Sequence, residues 1–303
     1  MTKTMTNLLG IVITILAGIY FYITCCSSCG IGVAEEPAKL VMVQPEEPEI
    51  TSYPFSVGDG TFSYETEDNF NFNTSSSEFL KPLSPQVQEG IVSELKGYLT
   101  ENANKVVNIT GYYKEGETNN TAFPNLGLAR ANAVKNHFVA HEIPSSQINI
   151  IGEAKNEMVP DNEVLMGPVA FQLQEVAANA EEELKALYDK IKADPLILYF
   201  DTAEASINLS AAQRQKVAEI ARYLDKVPDA QAEIIGYTDS EGKASTNLRL
   251  GQERADFAKA YLVQNGISAD RIGTDSKGKQ DPIASNATEE GRAKNRRTVI
   301  SIK

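Results

Sequence analysis

The sequence is poor in cysteine, histidine and tryptophan, with three, two and none among its 303 residues. The cysteines, Cys25, Cys26 and Cys29, lie within one short N-terminal stretch, so no disulfide frames the rest of the chain. Basic side chains are also scarce, because 28 of them face 41 acidic ones and the net charge is −13. This charge argues against nucleic acid as a partner.

Long apolar runs are almost absent. The only one covers residues 8–23, contains no charged residue, and reaches about 19 residues when it is extended to Cys26. That length approaches the roughly 20 residues of a membrane-spanning helix. No small-residue cleavage pattern ends the run, which favours a retained anchor over a cleaved signal peptide. We therefore predict a cytoplasmic N-terminus at residues 1–7 and a transmembrane anchor at residues 8–26.

The cysteines beside this anchor leave two localisations open. Cys25 or Cys26 is a candidate for the acylated residue of an outer-membrane lipoprotein, although Tyr22, Ile23 and Thr24 before them match that pattern poorly. Interfacial thiols or an intermolecular disulfide are the alternatives. We favour an inner-membrane anchor, with the rest of the chain in the periplasm.

The remaining chain divides into two modules. Residues 27–54 contain four prolines and five glutamates, which predicts an extended tether. Apolar residues at helical spacing in residues 176–195, ended by Pro195, predict a connecting helix. The first module is accordingly residues 55–175 and the second module is residues 196–303.

The second module alternates strands with helices. Ser210 is a predicted helix cap, and a further helix is expected from Asn247 to Gln264, ended by Asn265 and Gly266. Strands are predicted at residues 196–200, 233–237, 271–275 and 298–302. The expected fold is an α/β arrangement, an α+β sandwich with helices packed on a small mixed sheet.

The first module repeats this pattern. Residues 126–148 match residues 250–272 without a gap at an offset of 124, with eight identities. Upstream, an offset of 125 pairs Gly111-Tyr112 with Gly236-Tyr237, and NFNT at 71–74 resembles YFDT at 199–202. The sequence therefore predicts a tandem duplication of one fold.

An unusual arginine lies on the apolar stripe of the helix predicted from Asn247. A guanidinium cannot lose its charge, so Arg254 needs an anion if it is buried. One interpretation is an ion pair with a neighbouring carboxylate, and Asp239 after the preceding strand is the candidate. The other is a cleft in which Asp239 and Arg254 bind the two ends of a zwitterion.

These residues belong to a longer motif, GYTDSEGKASTNLRLGQERA at 236–255 with GRAKNRRTVISI at 291–302. The motif resembles the OmpA-like peptidoglycan-binding domain of outer-membrane protein A, peptidoglycan-associated lipoprotein and motility stator protein B. That resemblance implies non-covalent binding of the diaminopimelate in the peptidoglycan stem peptide. It implies that Asp239 accepts from the ammonium and Arg254 holds the carboxylate. The other residues implied to line the site are Thr238, Asn247, Asp201 and Arg297.

The first module keeps only part of this motif. Arg130 corresponds to Arg254, but Lys114 replaces Asp239 and Phe123 replaces Asn247. We expect a doubly positive cleft that repels an ammonium group. The predicted role is a spacer or a protein-binding surface, with an anion site as the remaining option.

Catalysis has little support in the sequence. It has no nucleophile-elbow serine, no glycine-rich phosphate loop and no identifiable carboxylate pair for glycan hydrolysis. His137 and His141 are four residues apart, a spacing that can hold zinc, but no third ligand is evident and a structural histidine is favoured. We predict no enzymatic activity, no cofactor and no bound metal.

The resulting prediction is a non-catalytic, single-pass envelope protein of a Gram-negative cell that tethers a membrane to peptidoglycan. The alternative is a scaffold or adaptor of a larger envelope, motility or secretion assembly, with a protein partner at residues 55–175. An ion-driven stator is disfavoured because residues 8–26 contain no acidic, basic or histidine side chain that could relay protons.

Overall fold

The structure is a computed structural model that describes residues 3–26, 49–200 and 208–303. The chain divides into two units, residues 1–48 and residues 49–303. Asp201, one of the predicted site residues, and Cys29 lie outside the described residues.

The described part of the N-terminal unit, residues 3–26, forms α1 (Lys3–Phe21) and then a π-helical turn at Tyr22–Cys26 that includes Cys25. Large apolar side chains from Val12 to Ile23 are exposed. Within residues 3–26, 49–200 and 208–303, no helix combines the length and apolar character that crossing a membrane requires.

The second unit alternates helices with short strands. Its strands are β1 (Phe55–Gly58), β2 (Ser63–Thr66), β3 (Phe72–Asn73), β4 (Lys105–Tyr113), β5 (Ile148–Ala154), β6 (Val164–Leu165), β7 (Val169–Glu175), β8 (Leu196–Tyr199), β9 (Ala232–Tyr237), β10 (Ile272–Gly278) and β11 (Arg297–Ile302). Its helices are α2 (Ile91–Glu101), α3 (Leu126–Ala140), α4 (Ala180–Ala193), α5 (Ala211–Lys226), α6 (Ala244–Gln264) and α7 (Glu289–Asn295). The predicted class, helices with small mixed sheets, is confirmed.

The two modules share one strand arrangement. In the first, β4 pairs in parallel with β5 and antiparallel with β7. In the second, β9 pairs in parallel with β10 and antiparallel with β11. Each parallel pair is connected through the helix that covers the sheet, α3 or α6, as a parallel connection requires.

The modules differ at the edge of the sheet. β8 pairs with β11 and completes a sheet of four strands, whereas the first module has a sheet of three. The expected counterpart of β8, NFNT at 71–74, forms only the two-residue β3, which pairs with β6 instead. Ser75 follows with a φ of 61°, a left-handed conformation that ends the strand.

Two predicted helix boundaries in the second module are confirmed and one differs. Ser210 and Gln213 form a capping box at the start of α5, which confirms the predicted cap. α6 ends before Asn265, and Gly266 has a φ of 86°, as a helix-ending glycine does. α6 begins at Ala244, three residues earlier than predicted, with no side-chain cap to mark the boundary.

A glycine pair brings each helix into contact with the central strand of its module. A Cβ at Gly236 in β9 would overlap the carbonyl oxygen of Gly251 in α6, and a Cβ at Gly111 would overlap that of Gly127. No other residue fits at these positions without moving the helix away from the strand. These glycines, which the two modules share at matching positions, therefore fix the depth at which α3 and α6 pack.

The core of the second module includes residues of the first. Apolar side chains of α5, α6, β9 and β11 form this core, and Phe123 from the first module is fully buried with them. The first module has its own aromatic core, in which the rings of Phe55 and Phe171 lie 4.1 Å apart between centroids. Residues 49–303 therefore fold with the modules in direct contact.

Polar contacts also join the modules. The ammonium of Lys135, on α3, pairs with Asp225 on α5 at 2.7 Å. Lys226 donates to the carbonyl oxygens of Ser146 and Ile148 at 2.7 and 2.9 Å. Burial of this amine lowers the pKa of Lys226 to about 8. The interface between the modules thus buries charged side chains that the sequence alone would assign to the surfaces of two separate modules.

Substituting Asp225→Asn tests this interface, because Lys135 is almost fully buried and would lose its counter-charge. We expect the free energy of unfolding to fall by about 3 kcal/mol, as when one partner of a buried ion pair is removed. Urea denaturation of the full-length chain measures the change.

The matched control is Arg222→Gln on the same helix, which breaks an exposed pair with Glu183. Its cost should stay below about 1 kcal/mol. Equal losses in the two variants would contradict a buried role for Asp225.

Candidate functional site

Arg254 lies at the centre of the candidate site in the second module. It follows Gly251 by one helical turn on α6, and its guanidinium reaches the end of β9, where Nη1 donates to the carbonyl oxygen of Tyr237 at 3.4 Å. Its side chain is buried, with a residue exposure of 4%. The close approach of α6 to β9 therefore places a permanent cation inside the protein.

The guanidinium of Arg254 is incompletely paired. Nε has no hydrogen-bond partner, and no carboxylate within the described part of the chain lies within ion-pairing distance. The ring of Phe200 lies 5.5 Å away and offers only a cation–π contact. Burial, together with the nearby charge of Arg296, lowers the pKa of Arg254, and Asp239 opposes that effect. A buried guanidinium with free donors is a site for an anion.

Asp239 lies in the turn after β9, as predicted, but it does not pair directly with Arg254. Its Oδ2 pairs with Nη1 of Arg296 at 3.1 Å, and its Oδ1 accepts from the backbone N–H of Glu241 at 3.1 Å. The interpretation in which Asp239 neutralises Arg254 is therefore wrong. The two groups stand as separate charges of one site.

Arg296 is the residue that the sequence analysis missed. It is buried and bridges Asp239 to Glu289, with Nη2 2.8 Å from the Glu289 carboxylate. The signal was present in the Asn-Arg-Arg motif, where two adjacent arginines cannot share one environment at the start of a strand. Which partner each arginine finds depends on how α7 and β11 are placed in the fold, so the motif alone does not indicate it.

Arg297, the predicted member of that motif, occupies a different environment. Its guanidinium lies 3.9 Å from the centroid of the Tyr237 ring, and Nη2 donates to the carbonyl oxygen of Asp281 at 2.9 Å. Burial lowers the pKa of Arg297, and Nη1 has no hydrogen-bond partner in the described part of the chain. It is a second buried cation beside the site.

Thr238 and Asn247 are both buried and both shape the turn that carries Asp239. The hydroxyl of Thr238 donates to the carbonyl oxygen of Asp239 at 3.0 Å. The side-chain amide of Asn247 donates to the carbonyl oxygen of Glu241 at 2.8 Å. Because each side chain donates to a backbone carbonyl oxygen of the turn, the two together fix the position of the turn relative to α6.

The corresponding arginine of the first module is fully paired. Arg130 is completely buried and forms a double ion pair with Glu117, whose side chain is 2% exposed. Its remaining donors reach the carbonyl oxygens of Ser76, Tyr112 and Asn73. The expected doubly positive cleft is therefore wrong, because Glu117 neutralises Arg130 and Lys114 bonds to the Met158 carbonyl oxygen at 2.6 Å.

Glu117 is held ionised by these contacts. Burial alone would raise the pKa of its carboxyl, but hydrogen bonds from Arg130 and from the backbone N–H groups of Lys114 and Ser75 lower that pKa below the usual range for glutamate. The same scaffold thus carries one arginine that is paired with a carboxylate and one that has no carboxylate partner in the described residues.

The histidine pair lies in the aromatic core of the first module. The ring of His137 packs 5.5 Å from that of Phe70 and 4.4 Å from that of His141. Burial, and then the neighbouring His141, lowers the pKa of His137 to about 4. In the described ranges no cluster of three or more potential ligands could hold a metal ion.

Comparison with known proteins finds relatives that match part of this chain. Escherichia coli (strain K12) "Probable lipoprotein YiaD" is 40% identical over 103 residues, which are 34% of this chain and 46% of that protein. Mycobacterium tuberculosis (strain ATCC 25618 / H37Rv) "Peptidoglycan-binding protein ArfA" is 38% identical over 120 residues, 40% of this chain and 36% of that protein. Bordetella avium "Outer membrane protein A" is 41% identical over 104 residues, 34% of this chain and 53% of that protein. The chain spans about half the length of these relatives or less.

Solved structures give similar matches. The peptidoglycan-associated lipoprotein of Burkholderia pseudomallei is 30% identical, with a TM-score of 0.32, over 35% of this chain and 89% of that one. The C-terminal domain of Helicobacter pylori MotB is 28% identical, with a TM-score of 0.30, over 36% of this chain and 84% of that one.

The family comparison covers both modules. The model of the OmpA family matches twice, at residues 71–165 and at residues 199–296. The two segments together make up more than half of the chain. The chain therefore belongs to the OmpA family.

Proposed function

We propose that this chain is a non-catalytic envelope protein whose second module binds the diaminopimelate-containing stem peptide of peptidoglycan. The observation that carries the proposal is the buried, incompletely paired guanidinium of Arg254. In the first module the equivalent Arg130 has a carboxylate on two of its nitrogens. Among the described residues Arg254 shares with Arg130 the contact to a strand-end tyrosine carbonyl and a phenylalanine ring, but it has no carboxylate. A ligand carboxylate is therefore the group we expect it to accept.

The rest of the site suits a zwitterion. Asp239 is partly exposed and supplies the negative charge for an ammonium group. Its bond to Arg296 uses one oxygen, and a carboxylate has about four acceptor positions, so an ammonium can be added without displacing Arg296. Diaminopimelate carries an ammonium and a carboxylate on one carbon, which matches Asp239 and Arg254 as a pair.

The other predicted site residues have supporting roles in this proposal. Thr238 and Asn247 fix the turn of Asp239, and Arg297 adds a positive charge beside Tyr237. Asp201 stays a predicted site residue. Relatives support the ligand, since one of them is named a peptidoglycan-binding protein.

We also propose that residues 8–26 attach the chain to a membrane, so that the second module tethers that membrane to the wall. The exposed apolar side chains of α1 support this attachment. An inner-membrane helix is the favoured form, and acylation of Cys25 or Cys26 in an outer-membrane lipoprotein is the alternative. The matched segments and shared strand order support a tandem duplication.

The adaptor role of residues 55–175 stays a prediction. A pull-down with that segment alone would expose Phe123 and Lys135, which the second module covers, so the full-length chain is the better bait.

The central test is co-sedimentation of the full-length chain with diaminopimelate-type sacculi. Asp239→Ala and Arg254→Met should each weaken binding by about 2–5 kcal/mol, or roughly 30-fold or more, because each leaves one ligand charge desolvated and unpaired. Sacculi with lysine in place of diaminopimelate should bind weakly, since lysine lacks the carboxylate for Arg254.

The control for the sacculus assay is Arg249→Ala, which removes an exposed arginine from the same helix and should leave binding unchanged. If Asp239→Ala and Arg254→Met sediment as well as the parent, the proposed site is wrong.

A pair of stability measurements separates binding from folding. Arg130→Met strands the buried carboxylate of Glu117 and should lower the free energy of unfolding by about 3–5 kcal/mol. Arg254→Met removes a poorly paired buried cation and should change it by less than about 1.5 kcal/mol. Urea denaturation of both variants measures the difference, and similar losses would show that Arg254 has a structural partner.

Mass spectrometry of the native N-terminus tests the form of membrane attachment. We expect residues 8–26 to be retained and unmodified, as in a helix that serves as an anchor. An N-terminal acylated Cys25 or Cys26 would support the lipoprotein instead. Cleavage after residue 26 without a lipid would contradict both forms.

A further inference from the structure

The buried pair of Glu117 and Arg130 belongs to no function described above. We propose that the first module contains a carboxylate-binding site of its own, which the chain occupies with the side chain of Glu117. This site lies in residues 55–175, and it does not depend on peptidoglycan binding by the second module.

The carboxylate of Glu117 is bound as a ligand would be. Arg130 donates to it from two nitrogens, Nη1 at 3.1 Å and Nη2 in a shorter contact. Two backbone N–H groups complete the set, that of Lys114 at 2.7 Å and that of Ser75 at 2.9 Å. These donors come from α3, from the end of β4 and from the turn after β3, so three separate segments converge on one carboxylate.

The site does not depend on Glu117 for its shape. Three backbone carbonyl oxygens, of Ser76, Tyr112 and Asn73, accept from the same guanidinium and fix its plane. The Gly111–Gly127 contact holds α3 against β4 independently. Removing the carboxylate should therefore leave a formed cavity with an unneutralised positive charge.

Glu117 reaches this position because of its loop. At the offset of 125 that pairs Gly111 with Gly236, Glu117 corresponds to Gly242. Gly242 has a φ of 85°, a conformation that disfavours glutamate, and a Cβ built there meets no atom within 4 Å. Glu117 has no such positive φ. The turn after β9 therefore has a glycine at the position where the turn after β4 has the glutamate that pairs with Arg130.

The ligand class of the opened site follows from its charges. Lys114 occupies the position of Asp239, and its ammonium is engaged by the carbonyl oxygen of Met158. The site offers no acceptor comparable to Asp239 for an ammonium group. It should therefore take a simple carboxylate rather than a zwitterion.

The test uses formate as the probe and the full-length chain with Glu117→Ala. Thermal unfolding is followed in sodium formate and in sodium chloride at equal ionic strength. In the variant, formate should raise the Tm saturably by about 2–4 °C or more over chloride, because it binds the folded state alone. In the parent chain, where Glu117 fills the site, the two salts should give the same Tm.

Two controls keep the effect specific. Glu115→Ala removes an exposed glutamate from the same loop and should respond to formate no more than the parent does. The double variant Glu117→Ala with Arg130→Met should lose the formate response. A Glu117→Ala chain without a formate-specific shift, or a response that survives the loss of Arg130, would overturn the proposal.

If Glu117→Ala does not fold, two further measurements still decide the question. Glu117→Ser keeps a small polar side chain and leaves room for formate, which should raise the Tm of this variant above that in chloride. In the parent chain, the carboxyl carbon of Glu117 observed by NMR should stay in its ionised form below the usual titration range of glutamate. Titration of Glu117 at the ordinary value would overturn the proposal, because a carboxylate bound by Arg130 resists protonation.

Discussion

In both modules, the contact between a glycine on the covering helix and a glycine on the central strand sets how closely the helix packs on the sheet. It brings α3 and α6 so close to β4 and β9 that an arginine one turn later is removed from water. A guanidinium cannot escape the cost of burial by losing its proton, so each module must supply an anion or bind one. Close packing at the glycine pair therefore creates a need for a negative charge beside the buried arginine.

The two modules meet this requirement differently. The first module brings Glu117 to Arg130 from its own loop, and both side chains of the pair are buried. The second uses its carboxylate, Asp239, on Arg296 and leaves Arg254 with free donors. The arginine of the first module is therefore neutralised internally, whereas in the function we propose the arginine of the second module is neutralised by a ligand.

The first module also contributes to the second in a way that explains its divergence. Phe123 corresponds to Asn247, which shapes the turn of Asp239, but as a phenylalanine it packs into the core of its neighbour. Lys135 and Asp225 add a buried ion pair to the same interface. The apolar side chain at this position therefore stabilises the contact between the two modules.

The sequence by itself determined the strand and helix order of the second module, the cap at Ser210, the repeat and the membership of Asp239 and Arg254 in one motif. These features are local or depend on spacing, which the order of residues records directly. Tertiary structure alone decided which charges meet: Arg296 with Asp239, Glu117 with Arg130 and Lys135 with Asp225. These partners lie 13 to 90 residues apart, with 57 between Asp239 and Arg296. No periodicity links such distant positions, because ion pairing depends on where loops and strand ends converge after folding.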